Sequence, residues 1–324
     1  MSRPVRALVL VAVMVLSAAR AAAAQERHAV IVSGAAGGAE YAQQYAAWTR
    51  TLTMALVDRL KFDAARVITL SETTDPAQLA TAANLKALFG RLRTQLRSTD
   101  LLFVFLIGHG TFDGVDAKFN LVGPDLEAAE WAAMLRGFPA RLVLVNSAAA
   151  SSPFIERLSA PRRVIVSATD SVAQRFDTVF PEYFIAAFGD DSSDIDKNGR
   201  TSIWEAFAWA AGAVRRHYQQ RGVLATERPL LDDNGDGVGR EASAQGPDGA
   251  VASRTYLDVP AAGAPPTDEV LVELLQRRAS LVAEVEELQI KKAFMSPDEY
   301  AREFERIMVA LARVGRGIRA RNPS

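Results

Sequence analysis

The chain contains three histidines and no cysteine. Without a thiol there is no cysteine nucleophile, no disulfide and no thiolate metal site. A hydroxyl in its place needs an adjacent base to become a nucleophile. His109 stands where such chemistry could occur. It follows the apolar run LLFVFLI and lies between Gly108 and Gly110 in LIGHGTFDG. Reactive groups of open α/β sheets collect just beyond the carboxyl ends of strands. His28 opens the first apolar run and reads as structural. His217, in VRRHYQQ, reads as an exposed helix residue. The second stretch of interest is LVLVNSAAASSPF, residues 142–154. An apolar strand there ends in Asn146 and Ser147, and three alanines separate Ser147 from Ser151 and Ser152. A serine needs a base within hydrogen-bond reach to attack a carbonyl. Ser147 and Ser151 are the candidates, with His109 as base. The same residues also make a turn capping a helix that starts near Pro153.

These stretches need a frame, and hydrophobic periodicity supplies it. HAVIVSG (28–34), RVITLSE, DLLFVFLIGHG, RLVLVN and RRVIVSATDS read as five strands. Between them lie helical patterns, such as Tyr45, Trp48, Leu52 and Leu56 on one face, or Leu85, Leu88, Leu92 and Leu96 on another. The third strand is apolar on both faces and is expected at the centre of the sheet. Strands alternating with helices imply parallel crossovers and a three-layer α/β/α sandwich. Helices are expected over 181–188 and 203–219. A Gly/Asp/Ala-rich loop follows over roughly 229–266, including a linker over 246–266. The tail, 267–324, reads as a helical hairpin: Leu271, Leu274, Leu281, Val285 and Leu288 form one stripe, and Phe304, Ile307, Met308 and Leu311 the other. SPDE (296–299) supplies a capping box between them.

A strand ending in His-Gly, followed one βα unit later by a strand ending in a small-residue turn, resembles the caspase-like fold of caspase, metacaspase and legumain peptidases. VSGAAGG after the first strand, FNLVGPDL (119–126) and VIVSATDS are similar to segments of the legumain-like bacterial branch. The resemblance spans about residues 28–240. It implies that His109 polarises the scissile carbonyl or moves protons, and that Gly110 belongs to the same site. It also implies a cysteine after the next strand. Placing Ser152 where the family has its Gly puts Ala149 at the nucleophile; aligning on Phe154 puts Ala148 there. Either way the position is a methyl group, which forms no acyl-enzyme. The family's pocket strand matches Ser167, Ala168, Thr169 and Asp170, which could take an extended peptide edge-on by strand addition; they read equally as a strand end and turn.

A further constellation is DIDKNGRTSIWE (194–205). Asp194, Asp196, Asn198, Ser202 and Glu205 fall at the oxygen-ligand positions of a calcium-binding EF-hand loop, with Gly199 at the sharp turn. Ser202 and Glu205 also make an S-x-x-E helix cap. DDNGDG (232–237) has the same flavour without the later ligands, and reads as a surface turn.

A formal net charge of −1 gives no basic field for nucleic acid. MSRPVR, then a short apolar run and Ala22-x-Ala24, reads as a signal peptide over 1–24. The mature domain, 25–245, is then expected in the periplasm or secreted, with no membrane span after cleavage. The leading expectation is an inactive peptidase homologue that binds a peptide or partner protein. The alternatives are an active hydrolase using a serine near 147–152 with His109, and an envelope scaffold that assembles with copies of itself through its helical tail.

Overall fold

The computed structural model describes residues 25–259 except 197 and 245, then 270, 273, 274, 277, 281, 284, 285, 288 and 295–321. Residues 1–24, read above as a signal peptide, and residues 260–266 of the expected linker lie outside the described residues. The chain divides into two compact units, the first ending at Asp258 and the second starting at Val259.

The first unit is built on a six-stranded sheet. Its strands are β1 (Arg27–Ser33), β2 (Val67–Leu70), β3 (Leu101–Ile107), β7 (Arg141–Asn146), β8 (Arg163–Ser167) and β9 (Leu230–Asp232). The order is β2-β1-β3-β7-β8-β9, and only β9 runs antiparallel. Three short strands, β4 (Gly110–Phe112), β5 (Ala117–Phe119) and β6 (Leu126–Glu127), make a separate antiparallel sheet directly after His109. The five strands expected from periodicity are all present. β9 and the small sheet were not expected, because two- and three-residue strands carry almost no periodic signal.

Alternation along the central strands builds both cores. Phe103, Phe105 and Ile107 of β3 face one layer together with Ala29 and Ile31. That layer is covered by α1 (Ala39–Met54), α5 (Phe180–Ala187) and α6 (Ile203–Gln220). Leu102, Val104 and Leu106 face the other, with Val30 and Val32. There α2 (Ala82–Gln95), α3 (Ala128–Leu135) and α4 (Pro153–Leu158) close the core. Successive side chains point to opposite faces, so a strand apolar at every position must be covered twice. The α/β/α sandwich follows directly from LLFVFLI.

Two stretches differ from expectation. Residues 246–258 are not linker: Ala252 and Leu257 are buried in the core. Asp233 accepts hydrogen bonds from the backbone N–H of Gly249, Val251 and Ala252 at 3.0, 2.8 and 2.7 Å. Asp232 likewise accepts from Gly235 and Gly237. DDNGDG is therefore no simple surface turn: its first two carboxylates are buried anchors for the segment that follows.

In the second unit, a helix runs over Pro297–Arg321, and the Ser296 hydroxyl accepts from the Glu299 N–H at 3.3 Å. Ile307 packs with Leu281 and Leu288. Met308, expected in that stripe, is exposed. No helix among the described residues is long and apolar enough to cross a membrane.

Close approach of backbones fixes one residue type at the carboxyl end of β1. A Cβ built on Gly34 would lie 2.1 Å from the Asn120 carbonyl oxygen, whereas one on Gly38 meets nothing within 4 Å. Gly34→Ala is expected to cost about 2 kcal/mol or more of stability, and Gly38→Ala, which only weakens the N-cap of α1, about 1 kcal/mol or less. Denaturant unfolding of the two variants checks the contrast.

Candidate functional site

The carboxyl ends of β1 and β3 form the topological switch of the sheet. From β1 the chain moves outward to β2 on one side, and β3 then pairs with β1 on the other. Ligands of open α/β sheets bind in such a crevice. His109 stands two residues past β3, over this crevice, and its ring is held from both sides. Nε2 lies 3.0 Å from the Ala36 carbonyl oxygen. Nδ1 lies 3.2 Å from Asp177 Oδ1. A carbonyl and a carboxylate can only accept, and a neutral imidazole donates through one nitrogen only.

Aromatic groups fix the ring further. Tyr41 and Tyr45 meet it edge-on, with centroids at 4.7 and 5.6 Å. The Tyr41 hydroxyl donates to Asp177. That hydrogen bond and the Asp177 charge raise the Tyr41 phenol above its usual range, and burial raises Tyr45. Tyr41, Tyr45, Trp48, His109, Ala149 and Pro181 line a narrow cleft. Its free volume is about 10 Å³, room for about one water.

The turn after β7 faces this cleft with hydrocarbon. Ala149 lines it, at 8% exposure, while Ala148 is fully buried. A Cβ on Gly110 would lie 2.2 Å from the Ala149 carbonyl oxygen, so Gly110 permits the close approach of two backbones. The flanking serines are both buried and committed elsewhere. The Ser147 hydroxyl donates to the Leu106 carbonyl at 2.5 Å. The Ser151 hydroxyl accepts from the N–H of Ala168 and Thr169 at 3.1 and 3.3 Å and also contacts the Thr169 hydroxyl. Neither hydroxyl is hydrogen-bonded to His109; both tie the turn to β3 and to the end of β8. Ala150, between them, has φ +49, a left-handed conformation that costs a non-glycine residue about 1 kcal/mol.

Ser167, Ala168 and Thr169 are fully buried. β8 pairs with β7 on one side and β9 on the other, as far as Ser167. A peptide added edge-on to this strand finds no free edge there. Asp170 is exposed, with Arg228 at 3.9 Å. Among the described residues, the free edge beside His109 belongs instead to β4, which pairs with β5 alone.

Asp177, Tyr41 and the Ala36 carbonyl were not legible as site groups. Asp177 lies in RFDTVF, away from any strand end, and nothing in its neighbours marks it. Its position is set by the start of α5. The Thr178 hydroxyl donates to the Ser147 carbonyl. The N–H groups of Val179 and Phe180 donate to buried Glu227 at 2.8 and 3.0 Å. Burial raises the Glu227 carboxyl above its usual range. Tyr218, which donates to the same carboxylate at 2.6 Å, is pushed up to about 12, first by burial and then by that bond. His217 is not a bare surface residue: Tyr183 OH lies 2.8 Å from its Nδ1.

In the 194–205 loop, Asp194, Asp196 and Glu205 each bring one oxygen within 4.8 Å of the others. Their oxygens already serve the loop. Glu205 Oε1 accepts from the N–H of Ile195 and Asp196 at 2.9 and 3.1 Å, and Oε2 from the N–H and hydroxyl of Ser202 at 2.8 and 2.7 Å. Asp194 accepts from the N–H of Asn198 and Gly199. Asn198 donates to Asp196 and to the Tyr256 hydroxyl. Ser202 and Glu205 form the capping box of α6.

No protein-family model matches the sequence, and no curated protein matches it. Among the solved structures similar in the course of the chain are two of low identity. One is the Drosophila initiator caspase Dronc, with a TM-score of 0.47 and 13% identity over 64% of this chain and 80% of that one. The other is protein GSU0716 from Geobacter sulfurreducens, with a TM-score of 0.42 and 14% identity over 64% of this chain and 92% of that one.

Two measurements check this geometry. The chain has no native cysteine, so an introduced thiol reports alone. Ala149→Cys should react with a small alkylating reagent in the folded protein, and Ala148→Cys only on unfolding; equal rates contradict the placement of the turn. For the capping role of Glu205, Glu205→Ala should lower stability by about 1–3 kcal/mol in the presence of a chelator. A large stabilisation of the wild type by millimolar calcium, lost in this variant, would instead show an ion site.

Proposed function

We propose that this chain is an exported, non-catalytic relative of the caspase-like peptidases, and that it binds a peptide or a partner protein at the His109 cleft. One observation carries this reading: the position facing His109 across the cleft is Ala149, and both nearby serine hydroxyls are buried in hydrogen bonds that brace the turn. Acyl transfer needs a nucleophile and a base that share a proton, and this site supplies neither half of that pair. His109 is spent on joining the Ala36 loop to the Asp177 loop.

What remains suits recognition. The cleft itself holds about one water, so a ligand lies across its mouth, where the half-buried Tyr41 and Trp48 offer contact area with few rotamers to freeze and Tyr45 is buried beneath them. Phe176, beside Asp177, is 69% exposed and extends this aromatic surface. β4 offers unpaired backbone next to it, suited to main-chain hydrogen bonding with an extended segment. Export rests on the basic-then-apolar start and the A-x-A pattern of the first 24 residues.

A random-peptide display library panned on the full chain tests this function. Enriched peptides are expected to lose at least about tenfold in affinity with Tyr41→Ala or Trp48→Ala, the scale of a truncated aromatic contact. They should also be recovered uncleaved by mass spectrometry. Absence of enrichment over an unrelated protein, indifference to both substitutions, or cleaved peptides would contradict it.

A further inference from the structure

A second cavity opens at the carboxyl ends of β1 and β2, under α1. Its volume is 280 Å³, below the usual range for drug-sized ligands and suited to one or two amino-acid units. Ser33 ends β1, and Ser71 follows β2; both line it. The α1 residues Tyr45, Thr49 and Arg50 form the opposite wall, and Glu72 stands at the β2 side.

Three features of this wall stand apart from ordinary surface. Arg50 and Glu72 line one cavity with opposite charges, yet Arg50 has no ion-pair partner among the described residues. Glu72 spends one oxygen on the Ala36 N–H at 3.1 Å, which leaves the other oxygen available. The Thr49 hydroxyl is buried without a partner, although a helical threonine can bond back to a carbonyl of the preceding turn. Between the charges the lining is mainly apolar, with Ala42, Ala46 and the Tyr45 ring. Two opposite charges held apart across an apolar floor match a ligand carrying both charges itself.

We propose that this cavity binds a small zwitterion with an apolar side chain, a free α-amino acid or a dipeptide. The guanidinium of Arg50 takes the carboxylate, for which its planar donor fork is suited. Glu72 takes the ammonium, and the side chain lies against Tyr45 and the alanines. The cavity is separate from the His109 cleft but shares the residue Ala36 with it, through two successive peptide units. Ala36 donates its N–H to Glu72, and its carbonyl accepts from His109 Nε2. Tyr45 lines both spaces. An occupant that moves Glu72 therefore pulls on the loop that holds His109.

Calorimetry on the full chain tests the site with leucine, alanyl-leucine, N-acetyl-leucine and leucine amide. Leucine or the dipeptide is expected to bind saturably, with a Kd of about 1 mM or tighter for a ligand of this size. N-acetyl-leucine and leucine amide, each lacking one charge, should bind at least about tenfold more weakly, the scale of one charged hydrogen bond. Arg50→Ala and Glu72→Gln should each weaken the zwitterion about tenfold, and Arg50→Lys, which keeps the charge but loses the planar fork, should weaken it less than Arg50→Ala does. Both positions are exposed, and circular dichroism of the variants should match the wild type. Which zwitterion binds more tightly distinguishes the single residue from the dipeptide. No saturable binding of either zwitterion at about 10 mM, about tenfold above the expected Kd, would overturn the site. So would equal binding of the acetylated or amidated compound, or binding unchanged in both Arg50→Ala and Glu72→Gln.

Discussion

The arrangement depends on one ring being held by two acceptors. His109 reaches the Ala36 carbonyl with one nitrogen and the Asp177 carboxylate with the other. That imidazole connects three parts of the chain: the loop after β1, the loop after β3 and the segment leading into α5. A histidine acting as general base must keep a lone pair aimed at a proton it can remove. Here both nitrogens point at groups without protons to give. The geometry that makes His109 a structural bridge is what supports the proposed non-catalytic reading.

The turn opposite obeys a related constraint. Buried hydroxyls and backbone groups need partners, and Ser147 and Ser151 find theirs within the scaffold. Ser147 binds back to β3, and Ser151 receives two N–H groups from the end of β8. Thr178 closes the third side by donating to the Ser147 carbonyl. Elsewhere carboxylates do similar work. Asp233 gathers the Gly249–Ala252 segment, Glu227 holds the start of α5, and Glu205 closes the capping box of α6. Acid-rich stretches of this chain are largely scaffolding, and the EF-hand-like spacing at 194–205 is shared with a helix cap.

The fold was legible in the sequence where the pattern is long. LLFVFLI at the centre, the four flanking strands, and the helices near 180–187 and 203–220 follow from period and length. The position of His109 followed too, because a strand's end fixes where its next residues emerge. What escaped notice was set by tertiary contact. β9, the three-strand sheet and the packing of 246–258 depend on short segments held by distant partners such as Asp233. Asp177 became part of the site only through the placement of α5. The segment 167–170 reads as a pocket strand by resemblance, but its sequence could not show that β9 pairs alongside β8 as far as Ser167. Met308 fits the heptad-like spacing of the tail and still faces solvent, since a period of apolar residues defines a stripe but not its width.

The account rests on the cleft having no group able to form a covalent intermediate. Intact-mass analysis of the purified chain after treatment with a fluorophosphonate probe measures this directly. The predicted result is an unmodified mass in the folded protein. A stoichiometric adduct mapped to Ser147 or Ser151, and absent when His109 is replaced by alanine, would contradict it.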